Sequence, residues 1–219
     1  MTAIYLFSGL GTDERIFRYI DFSGFTVHCI QWIAPLKGET IQSYARRLTP
    51  QIHSYKPVLI GVSFGGIMAV EVAKIIAVDK IILISSATTK YELPFCYRLA
   101  GTLYLHKLLP TGLLKHPNHF TYWLFGIKNK KDKDLLAAIL RDTNTHFMKW
   151  AIEKIATWQN MYKPAPLVHL HGTKDRILPY RFIENAIPIN DGGHFMIVNK
   201  AELLTAMLRN ILSSSIIPS

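Results

Sequence analysis

Cysteine is scarce: the 219-residue chain holds two, Cys29 and Cys96. Two widely separated thiols make no disulfide framework. The absence of a C-x-x-C pair removes the usual signature of structural zinc or dithiol redox chemistry. The expectation is two buried free thiols in a reducing compartment. Acidic residues are also few, 15 Asp+Glu against 25 Lys+Arg, giving a formal charge of +10. Long apolar runs are missing. Nothing approaches the roughly 18 uninterrupted apolar residues of a membrane span. The start, Met1 to Gly9, carries only the short apolar run Ile4 to Phe7, too brief for the core of a signal peptide. The chain therefore reads as cytoplasmic. An H-E-x-x-H metal pair, a Walker-type lysine loop and a complete G-x-G-x-x-G fingerprint are absent too. The expectation is a protein that needs no metal and no organic cofactor.

Hydrophobic residues make up 49% of the chain and charged residues 18%. That is enough apolar surface to offset chain entropy, which excludes general disorder. The length suits one large domain, or one domain with an inserted sub-domain. The positive charge is concentrated: residues 88–164 hold 12 basic and 5 acidic side chains, and the rest of the chain is close to balanced. Its densest part, Lys128, Lys130, Lys131 and Lys133, is interleaved with Asp132 and Asp134 and reads as a solvated loop. A small-molecule substrate is the expected partner, and nucleic acid is not.

Along the chain, short β-branched and aromatic runs at Ala3–Phe7, Phe25–Trp32, Pro57–Val62 and Lys80–Ser85 alternate with helical-period stretches at Thr40–Ser54 and Gly65–Ile76. Val58–Val62 and Ile81–Ile84 are apolar at nearly every residue, as strands of a parallel sheet covered on both faces are. From residue 88 to 163 the strand-like runs give way to helical stripes, Asp132–Asp142 and His146–Trp158. The α/β pattern then resumes with a strand at Leu167–Leu170, a short helix at Tyr180–Asn185, a strand at Ala186–Ile189 and a terminal helix at Met196–Leu212. The implied plan is a core of residues 1–87 and 164–219 with a helical insertion, 88–163.

The sharpest chemical signal is Gly61-Val62-Ser63-Phe64-Gly65-Gly66, which follows a buried strand and opens a helix. In that context G-x-S-x-G places a serine on a strained turn at the mouth of a sheet, with a helix N-terminus behind it. A serine hydroxyl needs a base, and the base needs an orienting group. Two downstream loops contain such residues: His171-Gly172-Thr173-Lys174-Asp175 and Gly192-Gly193-His194-Phe195.

Taken together these segments resemble the α/β-hydrolase superfamily, in which nucleophile, acid and histidine follow in that chain order. The resemblance covers the chain outside the insertion. It implies Ser63 as nucleophile, Asp175 as acid and His194 as base. It also implies an oxyanion hole from the backbone N–H groups of Phe64 and Leu10, the latter in Ser8-Gly9-Leu10-Gly11. Here Ser8 stands where a histidine often precedes the glycine. Asp191 is an alternative acid, and His171 an alternative functional histidine. His28, His53, His106, His116, His119, His146 and His169 read as structural or surface residues. The implied fold is a three-layer α/β sandwich around a mostly parallel six-stranded sheet in the order 2-1-3-4-5-6, lacking the superfamily's first two strands. Residues 88–163 would be a helical cap, with an acyl pocket drawn from Phe95, Tyr97, Leu103, Phe120, Trp123, Phe147 and Trp150.

The expected function is that of a serine hydrolase of the carboxylesterase kind, cleaving an ester, thioester or amide-like bond of a small apolar substrate through an acyl-enzyme. The alternatives are a lyase using the same residues, a non-catalytic small-molecule binder of this shape, and a binder of partners or anionic surfaces through the basic insertion.

Overall fold

In the computed structural model, residues 3–103 and 115–213 are described. The 104–114 part of the insertion, His106 within it, and the end of the Ser213–Ser215 tail lie outside the described residues. Six strands, β1 (Ala3–Phe7), β2 (Thr26–Cys29), β3 (Val58–Val62), β4 (Lys80–Ile84), β5 (Leu167–Gly172) and β6 (Ile187–Ile189), form one sheet in the order β2-β1-β3-β4-β5-β6. Every neighbouring pair is parallel. The order reverses between β1 and β3, so the loops leaving these two strands open the crevice where parallel sheets take ligands.

Side-chain alternation along each strand feeds two cores. From β1, Tyr5 and Phe7 pack with Tyr44, Leu48, Phe64 and Met68 on one face. Ile4 and Leu6 pack with Ile16, Phe17, Met196 and Ile197 on the other. The near-continuous apolar pattern of the central strands follows from this double cover. The edge strand β2 has no fully buried residue and is shorter than the run Phe25–Trp32 suggests.

Helix α1 (Ile41–Leu48) starts where the Thr40 hydroxyl accepts the Ser43 N–H, and gives way to a 3-10 turn at Thr49–Gln51 that contains Pro50. It is therefore shorter than Thr40–Ser54, because proline offers no N–H to continue the ladder. Helix α2 (Phe64–Ala73) begins directly after Ser63 and is almost wholly buried. Between β4 and β5 lie α3 (Phe95–Thr102), α4 (His119–Phe125), α5 (Lys130–Asp142) and α6 (Thr145–Thr157). The lysine cluster is not a loop: Asn129 caps α5 by accepting the Asp132 N–H, and Lys130 through Lys133 form its first turn. After β5, Tyr180–Asn185 makes only a 3-10 turn over Tyr180–Phe182.

The terminal helix is two, α7 (Met196–Asn199) and α8 (Ala201–Ser213), broken at Lys200. Met196, Ile197 and Val198 are all buried, while α8 buries only the stripe of Leu204 and Leu208. At Lys200 the backbone, φ −126° and ψ 26°, leaves the helical region. The thiols differ from expectation as well: both are free, but Cys29 is half-buried and Cys96 is exposed. Helix α3 meets α6 through Gly101, where an added Cβ would stand 2.3 Å from the Ala156 carbonyl oxygen, and Cys96 lies on a part of the helix turned away. No helix among the described residues is long and apolar enough to cross a membrane.

Candidate active site

Ser63 sits between β3 and α2 with φ 52° and ψ −122°, in a region that a β-carbon makes costly. The turn is possible because its flanking glycines leave no side chain in the way. A Cβ on Gly65 would lie 2.2 Å from the Phe7 carbonyl oxygen, and one on Gly61 2.4 Å from the Gly66 Cα. Backbone bonds pin the turn: the Ser63 N–H donates to Ile84 O at 3.0 Å, and the Ser86 hydroxyl donates to Ser63 O at 2.7 Å.

Two loops from the far half of the sheet converge on this serine. Asp175 follows β5, and His194 lies between β6 and α7. Their backbones are tied together, the Lys174 N–H donating to Gly192 O at 2.9 Å. His194 Nδ1 stands 2.8 Å from Asp175 Oδ2, and His194 Nε2 stands 2.9 Å from Ser63 Oγ. A carboxylate only accepts, so Nδ1 carries the proton and Nε2 is left to accept from the serine hydroxyl. The other carboxylate oxygen, Oδ1, accepts the N–H groups of Ile177 and Leu178, each at 2.9 Å.

Asp175 and His194 are 4% and 5% exposed, so water screens their contact poorly. Burial pushes the Asp175 carboxyl up. The attraction and hydrogen bond of His194, the nearby His171 and the Leu178 N–H outweigh burial and hold it below the usual carboxylate range. Asp191, by contrast, is exposed and pairs with Lys174 Nζ at 2.5 Å.

His171 lies behind the acid, its Nε2 at 2.8 Å from Leu178 O and 3.5 Å from Asp175 Oδ2. A carbonyl can only accept, so Nε2 carries the proton, and Nδ1 accepts from His169 Nε2 at 3.2 Å. Burial, then the neighbouring His171, lowers His169 to about 3. Burial likewise lowers His171. Neither reaches the serine.

Across the cleft, the loop after β1 comes close, a Cβ on Gly9 falling 3.3 Å from Ser63 Cβ. Ser8 holds this loop by donating to Thr12 O at 2.9 Å and accepting the Trp32 indole N–H at 2.8 Å. Leu10 and Ser63 border a shared cavity. Phe64 opens α2, where first-turn N–H groups have no partner inside the helix. Among the described residues no group of three or more His, Cys, Asp or Glu is arranged to hold a metal ion.

Of the apolar residues expected to line a pocket, Tyr97 does so. Phe95, Leu103, Phe120 and Trp123 are exposed. Phe147 and Trp150 are buried in a cluster with Trp32, Tyr44 and Phe64. Sequence reasoning missed Phe125, whose ring meets His194 edge-on at 5.6 Å and whose carbonyl accepts the Phe195 N–H. It also missed Ile155 and Ile177, which border the space above Ser63. Ile177 carried a signal in its position two residues after Asp175; a phenylalanine inside the apolar run of α4 carried none.

A model of the alpha/beta hydrolase family matches residues 4–206. Among solved structures, an esterase from Exiguobacterium antarcticum is 15% identical with a TM-score of 0.78, the match covering 98% of this chain and 92% of that one. A structure from the thaumarchaeon Nitrososphaera gargenis, described with its carboxylesterases, is 19% identical with a TM-score of 0.70 over 97% and 90%. A putative non-heme bromoperoxidase from Mycobacterium tuberculosis is 17% identical with a TM-score of 0.66 over 97% and 92%. A search of curated proteins finds no significant match. The family match spans nearly the whole chain and agrees with the strand order and the serine turn, and on that ground the chain belongs to the α/β hydrolase family.

Proposed function

We propose that this protein is a serine hydrolase of the carboxylesterase kind, acting on an ester, thioester or amide-like carbonyl of a small apolar substrate. The observation that carries the reading is the unbroken relay from Ser63 Oγ through His194 to Asp175, 2.9 Å and 2.8 Å, built on a serine with positive φ. Structures titled as esterases or carboxylesterases among the fold's relatives support it. The bromoperoxidase title among them is why the reaction class rests on the site and not on likeness.

In this mechanism Ser63 Oγ attacks the carbonyl carbon while His194 Nε2 takes its proton. Asp175 stabilises the imidazolium and keeps its orientation. Charge developing on the carbonyl oxygen is met by the N–H groups of Phe64 and Leu10. The bond to the leaving group breaks, His194 returns the proton to it, and the acyl group stays on Ser63. Water, deprotonated by His194, then releases the acid and restores the serine. Residues 88–163 act as a cap over this site, with Phe125 of α4 and Ile155 of α6 at its inner surface.

Ser63→Ala tests the assignment. Hydrolysis of short p-nitrophenyl esters should fall by roughly 10⁴- to 10⁶-fold, and labelling by a fluorophosphonate probe should vanish, with circular dichroism unchanged. A mutant that still hydrolyses at the parent rate would falsify the nucleophile.

A further inference from the structure

Two cavities meet at Ser63, and they are unequal. The larger, about 370 Å³, is bordered by Ile67, Leu93, Tyr97, Ala100, Ile152 and Ala156. Of these only Tyr97 carries a polar side-chain group, and its hydroxyl already donates to Ile177 O at 3.0 Å. The smaller, about 150 Å³, is bordered by Gly9, Leu10, Thr12, Phe125 and His194. Ser63, Ile155 and Ile177 border both, so the two isoleucines stand at the junction. Ligand pockets commonly run roughly 300–1,000 Å³. The larger cavity falls within that range, while the smaller is about the size of one that holds a single benzene ring.

We infer that the substrate is an ester with a long apolar acyl group and a short alcohol, bound in one fixed direction. The inference rests on the hydrolase reading above and adds the direction to it. Ser63 Oγ must bond to the carbonyl carbon, so that carbon sits where the cavities join. The leaving oxygen must receive the proton that His194 Nε2 drew from the serine, so it faces His194. His194 borders the smaller cavity and not the larger. The alcohol therefore occupies the smaller space, and the acyl chain runs past Ile177 into the larger one. The chain gains there because the described lining away from Ser63 offers apolar contact, its one hydroxyl, on Tyr97, being already bonded. Each methylene buried is worth about fourfold in binding.

The test uses two isomers of one formula, methyl octanoate and heptyl acetate, which share size and apolar surface but carry the ester bond in opposite directions. The expected result is a kcat/KM about tenfold or more in favour of methyl octanoate. Equal rates, or a preference for heptyl acetate, would overturn the inference and leave the hydrolase reading standing. No turnover of either isomer or of p-nitrophenyl acetate, with no fluorophosphonate labelling, would overturn both. Two variants read the same geometry in opposite directions. Ala100→Phe fills the larger cavity and should lower kcat/KM for methyl octanoate about tenfold relative to methyl acetate. Phe125→Ala enlarges the smaller one and should raise heptyl acetate relative to methyl octanoate. Unchanged ratios in both variants would overturn the proposed direction.

Discussion

Ser63 is held in a strained backbone conformation by neighbours that would clash with any side chain at Gly61 or Gly65, and the strain aims its hydroxyl at one imidazole. Asp175 is fastened as firmly: one oxygen accepts two backbone N–H groups and the other meets His194. Such a carboxylate cannot rotate to find another partner. In Asp175→Asn an amide can present an N–H to Nδ1, which favours the wrong tautomer of the base. The expected loss in kcat is about 10⁴-fold. Asp191→Asn should leave kcat nearly unchanged, because its partner is the exposed Lys174. Steady-state kinetics of the two variants separates them, and a larger loss in the second would reverse the assignment. Chain order and glycine context made Ser63 and His194 readable without coordinates. Asp175 was preferred to Asp191 only through the resemblance of its loop to the superfamily's acid loop, since proximity along the chain says nothing about which carboxylate faces Nδ1.

Elements with strong local signals match their expected type, and the differences fall at their ends. Thr40, Asn129 and Asn144 each cap a helix by accepting first-turn N–H groups, so the starts of α1, α5 and α6 fall within two residues of expectation. The C-terminal helix splits at Lys200, whose φ of −126° and ψ of 26° leave the helical region, a break no periodicity records. Packing between elements also assigns roles that pattern cannot. Trp158, just past α6, donates its indole N–H at 2.7 Å to Glu71 Oε1 on the buried helix α2, and Lys74 Nζ meets the same oxygen at 2.6 Å, while Oε2 is buried with no hydrogen-bond partner among the described residues. Trp158→Phe removes that donor while keeping an aromatic ring. It should lower the free energy of urea unfolding by about 1–3 kcal/mol, through a buried carboxylate stripped of one hydrogen bond. A change within experimental error would show that Lys74 alone suffices to hold Glu71 Oε1.

On the scale of the whole molecule, the sheet is buried on both faces, and two buried groups, His169 lowered by burial and Asp175 lowered against burial by His194, govern how the protein answers acid. His169 and Asp175 both have folded-state proton affinities below their ordinary ones, His169 at about 3 against 6.5. A lowered folded value means that the unfolded chain binds the proton first, so stability is kept above the ordinary value and lost as pH falls toward the folded one. For His169 that window runs from about pH 6.5 downward, at about 1.4 kcal/mol per pH unit; for Asp175 it opens below about pH 4. Urea unfolding between about pH 7 and pH 4 should show a steady decline, shallower in His169→Gln, which keeps a donor toward His171 without titrating. Equal slopes would mean that His169 protonates in the folded state. The doubly covered sheet and the serine turn were legible in residue order because they follow from local periodicity and glycine placement, while the strand order came only with the resemblance to the α/β-hydrolase superfamily. The lining of the cleft was not. Phe147 shares a helical stripe with Ile155, yet it fills the core beside Tyr44 while Ile155 borders Ser63. Which apolar side chain meets substrate and which meets core depends on how a helix is rotated against elements distant in the chain, and that rotation is settled only when the packed layers come together.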